Sequence, residues 1–360
     1  MTSHASLPIE ARSLIAQINK KHGEGALVTG SEMSVPARYT SGSIGLDVIL
    51  GGGWPANQWA EVIGKESQGK TFIALKTVAA NQQRDPKFTT LWIAAEHFDV
   101  DQAHALGVDT DRVIVMPTQD MELAFETMLS FAASKSIDLI VLDSYPALIP
   151  GEEADKTMED AVVAVGARLV GKFFRKMGAA SKRALDGTER PMFGLIINQY
   201  RDAIGQFSPH GTPQTTPGGK AKNYFYYVRL EVKRDEVIDE ARHGKGKTRV
   251  GQTVKLRTLK NKAASPGQVA SLDVYFRDAP NLGFLRGDYD SAKELLTYGV
   301  LYDLIKRAGA YYSIGERRWQ GKDALLQDLR AESDLQESLR AGILAASAKP
   351  DRDLITTEAS

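Results

Sequence analysis

The chain contains no cysteine in its 360 residues, which excludes disulfides, thiol nucleophiles and thiolate-bound zinc together. Nor does any stretch approach the ~20 consecutive apolar residues that a membrane-spanning helix requires, so a bilayer-embedded chain is not expected. The opening MTSHASLPIEARSL has neither the charged start nor the apolar run of a secretory leader. Together with the missing thiols this predicts a reducing, cytoplasmic setting. An excess of either charge is lacking too, since 45 Lys and Arg face 45 Asp and Glu. With 42% hydrophobic and 25% charged residues a disordered or fibrous chain is excluded. The length allows about two domains around one large core.

The charge balance is neutral only on average. Ala95 to Asp160 hold 15 acidic residues against 3 basic, whereas Gly218 to Lys262 hold 13 basic against 5 acidic. A chain divided in this way can attract a polyanion to one surface; solvated faces of opposite sign are the plainer alternative. Five short apolar runs follow one another between helix-length segments: QWAEVI (58–63), TTLWIAA (89–95), RVIVM (112–116), IDLIVLD (137–143) and MFGLIIN (192–198). Continuous apolar runs of this kind predict a mostly parallel sheet flanked by helices, an α/β fold. Ahead of them, Ile9 to Lys21 has helical spacing but too few apolar positions to fold alone, so it must dock on something such as a neighbouring subunit. Residues 205–219 carry three prolines and four glycines and predict a long functional loop. Beyond it, 224–232, 253–259 and 271–276 alternate like antiparallel strands, the first two flanking a polar linker with HGKGK at 243–247. Helical periodicity returns at Ser291. The expected organisation is a segment 1–38, a core 39–280, a small α+β domain 281–346 and a tail 347–360.

The most specific motif is Gly64-Lys65-Glu66-Ser67-Gln68-Gly69-Lys70-Thr71, which matches G-x-x-x-x-G-K-[ST] between an apolar strand and an amphipathic segment. Gly64 and Gly69 let backbone N–H groups wrap phosphate oxygens at a helix N-terminus, where the helix dipole favours anions. Lys70 would neutralise the β- and γ-phosphates, and the Thr71 hydroxyl would ligate Mg²⁺. Asp143, followed by Ser144, ends the run LIVLD and suits the water shell of that ion. Glu96 follows another strand end, where a carboxylate can orient and polarise an attacking water. For both acids a helix cap is the ordinary structural alternative.

Several segments in a fixed order now carry a resemblance: YTSGSIGLDVILGGG (39–53), GKESQGKT (64–71), IAAEH (93–97), LIVLDS (139–144), LIINQYR (195–201), TTPGG (215–219), VRLEVKR (228–234), LKNK (259–262) and LIKRAGAYYS (304–313). Over roughly residues 5–330 the chain resembles the bacterial RecA recombinase family. The nucleotide loop is common to many ATPases, whereas INQ, the Gly-Gly-terminated loop and KNK together are particular to that family. The resemblance implies a RecA-type ATPase core with an antiparallel extension, and an ATP-dependent DNA recombinase that uses ATP and Mg²⁺. It implies that Glu96 is the catalytic carboxylate. Asn198 and Gln199 would be the sensor between γ-phosphate and loop, an amide being able both to donate to phosphate and to reorient when it leaves. Lys260 and Lys262 would reach the γ-phosphate of an adjoining subunit in an open helical filament.

Two loops, 151–163 and about 200–222, are implied to bind single-stranded DNA and to admit homologous duplex DNA. Phosphates would be held by Arg168, Lys172 and Arg175, which spacing places on one helical face, by Arg201, and by backbone N–H groups near Gly218 and Gly219. Val163 or Phe207 would wedge between nucleotides. Single-strand-binding and loader proteins are further implied partners; a membrane is not. The chain departs from the family at Ala94, where an Asp usually stands, at Lys65, where the loop has Pro, and at Gln102, where an aromatic stacks on adenine. The tail is also less acidic than the family's. An alternative class with the same strand–loop–helix core is a motor or regulator ATPase, of hexameric-helicase or clock type.

Overall fold

The computed structural model describes residues 7–23, 25–33, 37–154, 165–183, 189–202, 214–219, 222–242 and 246–348. Its frame is a sheet of eight strands: β1 Trp59–Ile63, β2 Thr90–Ala94, β3 Val113–Pro117, β4 Leu139–Asp143, β5 Phe193–Asn198, β6 Val228–Arg242, β7 Gly246–Asn261 and β8 Val269–Tyr275. Their spatial order is β8-β7-β6-β1-β5-β4-β2-β3. From β6 to β3 all neighbours are parallel, and β7 and β8 extend the sheet antiparallel. This is the α/β arrangement that the apolar runs predict. The longer helices are α1 Ile9–His22, α2 Ile44–Leu50, α3 Lys70–Arg84, α4 Met121–Ser134, α5 Val165–Ala180, α6 Ser291–Leu301, α7 Lys322–Ala331 and α8 Ser333–Ser347.

Alternation along the strands sorts the core into two layers. Ala60, Val62, Trp92, Val141, Leu195 and Ile197 meet Ile73, Ala74 and Val78 of α3 on one face. Leu91, Ile93, Ile140, Leu142 and Ile196 meet Met121, Phe125 and Met128 of α4 and Val170, Phe173 and Phe174 of α5 on the other. Trp59 lies so flat over β5 that a Cβ on Gly194 would stand 2.2 Å from its ring, so only glycine fits there. Local signals start the helices. Asp120 caps α4 by accepting from the Leu123 amide at 2.8 Å, and Ser43 caps α2 by accepting from Leu46 at 3.1 Å.

Two stretches differ from the expected strands. Residues 224–227 are not strand: Lys222–Phe225 form a short helix, because Phe225 and Tyr226 both pack on Phe174, at 5.1 Å each between ring centroids. Of the linker between 232 and 253, residues 233–242 and 246–252 are instead strand, in a long two-stranded ribbon of β6 and β7 whose register shifts at three points hide the alternation that sequence reading depends on; residues 243–245 lie outside the described residues.

After the sheet come α6, three short strands (β9 Lys306–Ala308, β10 Tyr311–Ile314, β11 Arg317–Gln320), α7 and α8, and all of these except the exposed β9 share an apolar cluster with Ile44 and Val48 of α2. A buried polar cluster reinforces this seam. Asp47 accepts from Thr40, from Ser41 and from Arg340 Nη1 at 3.0 Å. Glu294 accepts from Ser43 Oγ at 2.6 Å through Oε1, while its Oε2 has no partner. Burial, with Asp47 adding to it, pushes the Glu294 carboxyl up to about 7 against the pull of Ser43 and Arg340. At the other end, α1 buries no side chain at all and leaves Ile9 and Leu14 in solvent.

Candidate functional site

Four neighbouring parallel strands, β1, β5, β4 and β2, bring their carboxyl ends to one edge of the sheet, the usual place for a ligand in an open α/β fold. The loop 64–71 follows β1. A Cβ on Gly64 would stand 2.4 Å from the Val232 carbonyl, so the backbone is pressed against β6 where no side chain can enter. Gly69, at φ +99°, turns the chain into α3. Gln68 Oε1 accepts from the Lys65 amide at 3.1 Å and closes the loop. Lys70 is buried, and its Nζ donates to the Lys65 carbonyl at 2.7 Å. Burial lowers its pKa, opposed by the carboxylates Asp143, Glu96 and Glu66.

Thr71 Oγ1 donates to Asp143 Oδ2 at 2.9 Å, joining the start of α3 to the end of β4. Burial raises the Asp143 carboxyl to about 6, with Glu96 adding to the effect and Thr71 and Lys70 opposing it. Glu96 is reached from two sides, since Ser144 Oγ and Gln199 Nε2, the latter at 3.4 Å, both donate to its Oε1. Its amide is fixed by the Asp143 carbonyl at 3.0 Å. The structure thus brings Lys70, Thr71, Glu96, Asp143, Ser144 and Gln199 together. Neither acid serves as the helix cap that the sequence alone allowed.

Beside this group, a cavity of about 530 Å³ is lined by Phe72, which follows Thr71, and by Gln102, Tyr275, Arg277 and Arg286. Its aromatic walls and the Gln102 amide suit a planar heterocycle with hydrogen-bonding edges.

The remaining expected residues lie on the loop side. Arg168, Lys172 and Arg175 are all exposed on α5, and Arg168 pairs with Glu152 at 3.4 Å. Gly218 and Gly219, at φ +99° and +72°, turn close above α5; a Cβ on Gly219 would touch Ala167 at 3.3 Å. Exposed Arg201 pairs with Thr215 in a two-residue antiparallel ladder. Val163 and Phe207, the expected wedges, lie outside the described residues. Lys260 and Lys262 do not join the phosphate loop of their own chain. Lys260 Nζ donates to the Asn223 carbonyl at 2.6 Å, and Lys262 lies 6.0 Å from the Tyr227 ring centre.

Sequence reasoning missed a second, fully buried polar group behind the site. Glu61, in the middle of β1, accepts from Asn198 Nδ2 at 2.7 Å and Lys222 Nζ at 2.6 Å through Oε1, and from Arg229 Nε at 2.7 Å through Oε2. The available signal was a single acid inside the apolar run QWAEVI, since a charge buried in a parallel strand needs partners.

A wall-like backbone cradle, one buried ammonium and a hydroxyl–carboxylate pair fit a phosphate chain with a small divalent cation, whose other ligands would be phosphate and water oxygens. Sheet, loop and strand-end acids together define a phosphate-loop α/β protein. Comparison with known proteins narrows that class. The family model of the RecA N-terminal domain matches residues 10–280. The chain is 36% identical over 334 residues to Protein RecA of Acidothermus cellulolyticus, covering 91% of this chain and 90% of that protein. It is 37% identical over 332 residues to Protein RecA of Nautilia profundicola, covering 91% and 88%. With Protein RecA of Leifsonia xyli it shares 36% identity over 357 residues, covering 96% and 92%. The chain therefore belongs to the RecA family of nucleotide-binding recombinases.

Proposed function

We propose that this chain is an ATP-dependent homologous DNA recombinase that forms helical filaments on single-stranded DNA, pairs them with homologous duplex and exchanges strands. The observation that carries the reading is the position of Gln199. Its amide touches the strand-end carboxylate Glu96, and its backbone opens the segment that leads to Gly218 and Gly219. A group placed there responds to a terminal phosphate on one side and moves a loop on the other.

Lys70 would bind the phosphates from within the loop, and Thr71 and Asp143 would hold Mg²⁺. When bound, ATP with Mg²⁺ supplies the phosphoanhydride that is cleaved and the charge that draws these groups together. Ser144 and Gln199 fix Glu96 through one oxygen and leave the other to take a proton from the attacking water. Phe72, Gln102 and Tyr275 receive the base. Lys260 and Lys262, whose side chains turn to Asn223 and Tyr227 rather than to their own chain's phosphate loop, act on the neighbour's, and α1 docks on that neighbour. Arg168, Lys172, Arg175 and Arg201 hold the DNA backbone beside Gly218 and Gly219. Such contacts carry no base sequence, which suits an enzyme that loads on any strand and leaves recognition to pairing.

Electron microscopy of the purified chain with single-stranded DNA, Mg²⁺ and a slowly hydrolysed ATP analogue tests the reading. Regular helical filaments are expected, with ATP turnover stimulated by the DNA. No helical assembly with any triphosphate would overturn it.

A further inference from the structure

Lys222 is 1% exposed and Glu61 is 0% exposed, and both ends of this ion pair lie inside the protein. An ammonium in the interior is tolerated only where its donors are used. Here they are. Nζ donates to Glu61 Oε1 at 2.6 Å, to Thr216 Oγ1 at 2.7 Å and, more weakly, to Asn223 Oδ1 at 3.4 Å. Burial lowers the Lys222 pKa and Glu61 opposes that shift, so the pair is held by mutual charge.

The partners belong to two different parts of the molecule. Glu61, Asn198 and Arg229 stand on β1, β5 and β6, adjacent strands held by continuous backbone pairing. Lys222, Thr216 and Pro217 belong to the closing part of the second loop. Asn198 bridges the two, since its Nδ2 donates both to Glu61 and to the Pro217 carbonyl, at 3.3 Å. Its Oδ1 accepts from the Gln199 amide at 2.9 Å. A hydrogen-bonded chain therefore runs from Glu96 through Gln199, Asn198, Glu61 and Lys222 to Thr216. The glycine turn is tied to the same side chain, because a Cβ on Gly218 would stand 2.9 Å from Lys222 Cδ. Lysine stem and turn must shift together.

We propose that the Glu61–Lys222 pair is a buried latch that transmits the state of the nucleotide site to residues 214–219, setting where Gly218 and Gly219 present their backbone to DNA. The proposal rests on the reading of Gln199 as the sensor. Lys222 acts as a positioning residue and touches neither nucleotide nor DNA. If the pair only stabilised the fold, its removal would lower the unfolding midpoint and leave the response to nucleotide unchanged. A latch predicts loss of the response itself.

Hydrogen exchange of the peptide covering 214–226, in the full chain with and without Mg²⁺ and a non-hydrolysable ATP analogue, separates these outcomes. In the wild type the analogue should slow exchange there by about fivefold or more, the lower end of ordinary coupling. In Lys222→Met the slowing should fall below about twofold, while the analogue's affinity stays within about threefold of wild type. Thr216→Val, which keeps the ion pair and removes only its link to the loop, should lose the slowing in the same way and serves if Lys222→Met does not fold. Wild-type slowing in Thr216→Val, or a wild-type segment indifferent to the analogue, would overturn the latch. The recombinase reading fails separately, in a wild type that binds the analogue but forms no filament on single-stranded DNA.

Discussion

Glu61 and Glu294 are both buried carboxylates, yet their surroundings have opposite composition. Around Glu61 stand two cations, Lys222 and Arg229, and both carboxylate oxygens are engaged. Around Glu294 stand a second acid, Asp47, and a single guanidinium, Arg340, and one oxygen is unpartnered. The first cluster ties the phosphate-loop strand to the second loop; the second ties α2 to α6 and α8. A carboxylate outnumbered by cations is held by opposite charge on both of its oxygens. One that must share a cation with another acid gives way to a proton instead. The second seam therefore answers to pH, whereas the first is the one we propose to answer to the nucleotide.

The comparison breaks most readily at Glu61. Glu61→Ala leaves the buried Lys222 and the half-buried Arg229 without their counter-charge and should cost about 3–5 kcal/mol in urea unfolding. A loss below about 1 kcal/mol would show that water compensates them. Arg340→Met removes the one cation that, among the described residues, serves both Asp47 and Glu294 and should cost about 3 kcal/mol at pH 8. The loss should be smaller at pH 5, where Glu294 is already protonated.

Glu294 itself gives the sign of the pH effect. Its folded pKa of about 7 lies above the unfolded 4.5, so the native state holds the proton more tightly. That stabilisation is complete below pH 4.5 and is lost as the pH rises through 7, by up to about 3 kcal/mol. Glu294→Gln should flatten this part of the curve and exceed wild type at pH 8 by about 1–2 kcal/mol, read from unfolding midpoints across the range. An unchanged slope would place the titration elsewhere. The smallest effect on stability, within about 0.5 kcal/mol, is expected for Gln199→Ala at the exposed end of the hydrogen-bonded chain. Analogue binding should persist there while DNA affinity ceases to respond to it; loss of both together would remove the sensor role.

Much of this was legible in the chain itself. The five apolar runs fall within a residue or two of β1 to β5, and Lys70, Thr71, Glu96 and Asp143 converge because each follows a strand end whose direction the parallel pattern implies. Local periodicity carries that information. It cannot carry Glu61 with Lys222, 161 positions apart, or Asp47 with Arg340, 293 apart, since neither residue's neighbours announce the partner. The aromatic run after Lys222 has the composition of a strand, and tertiary packing on Phe174 turned its first part into helix. The ribbon of β6 and β7 was hidden by its bulges, which shift the inside–outside alternation each time they occur.

One consequence concerns the other end of the molecule. α1 spans 14 residues with none buried, a length at which a helix on its own is marginal in water. If α1 docks on a second copy of the chain, as proposed, its order depends on that contact, and dilution should unwind it while the eight strands remain intact.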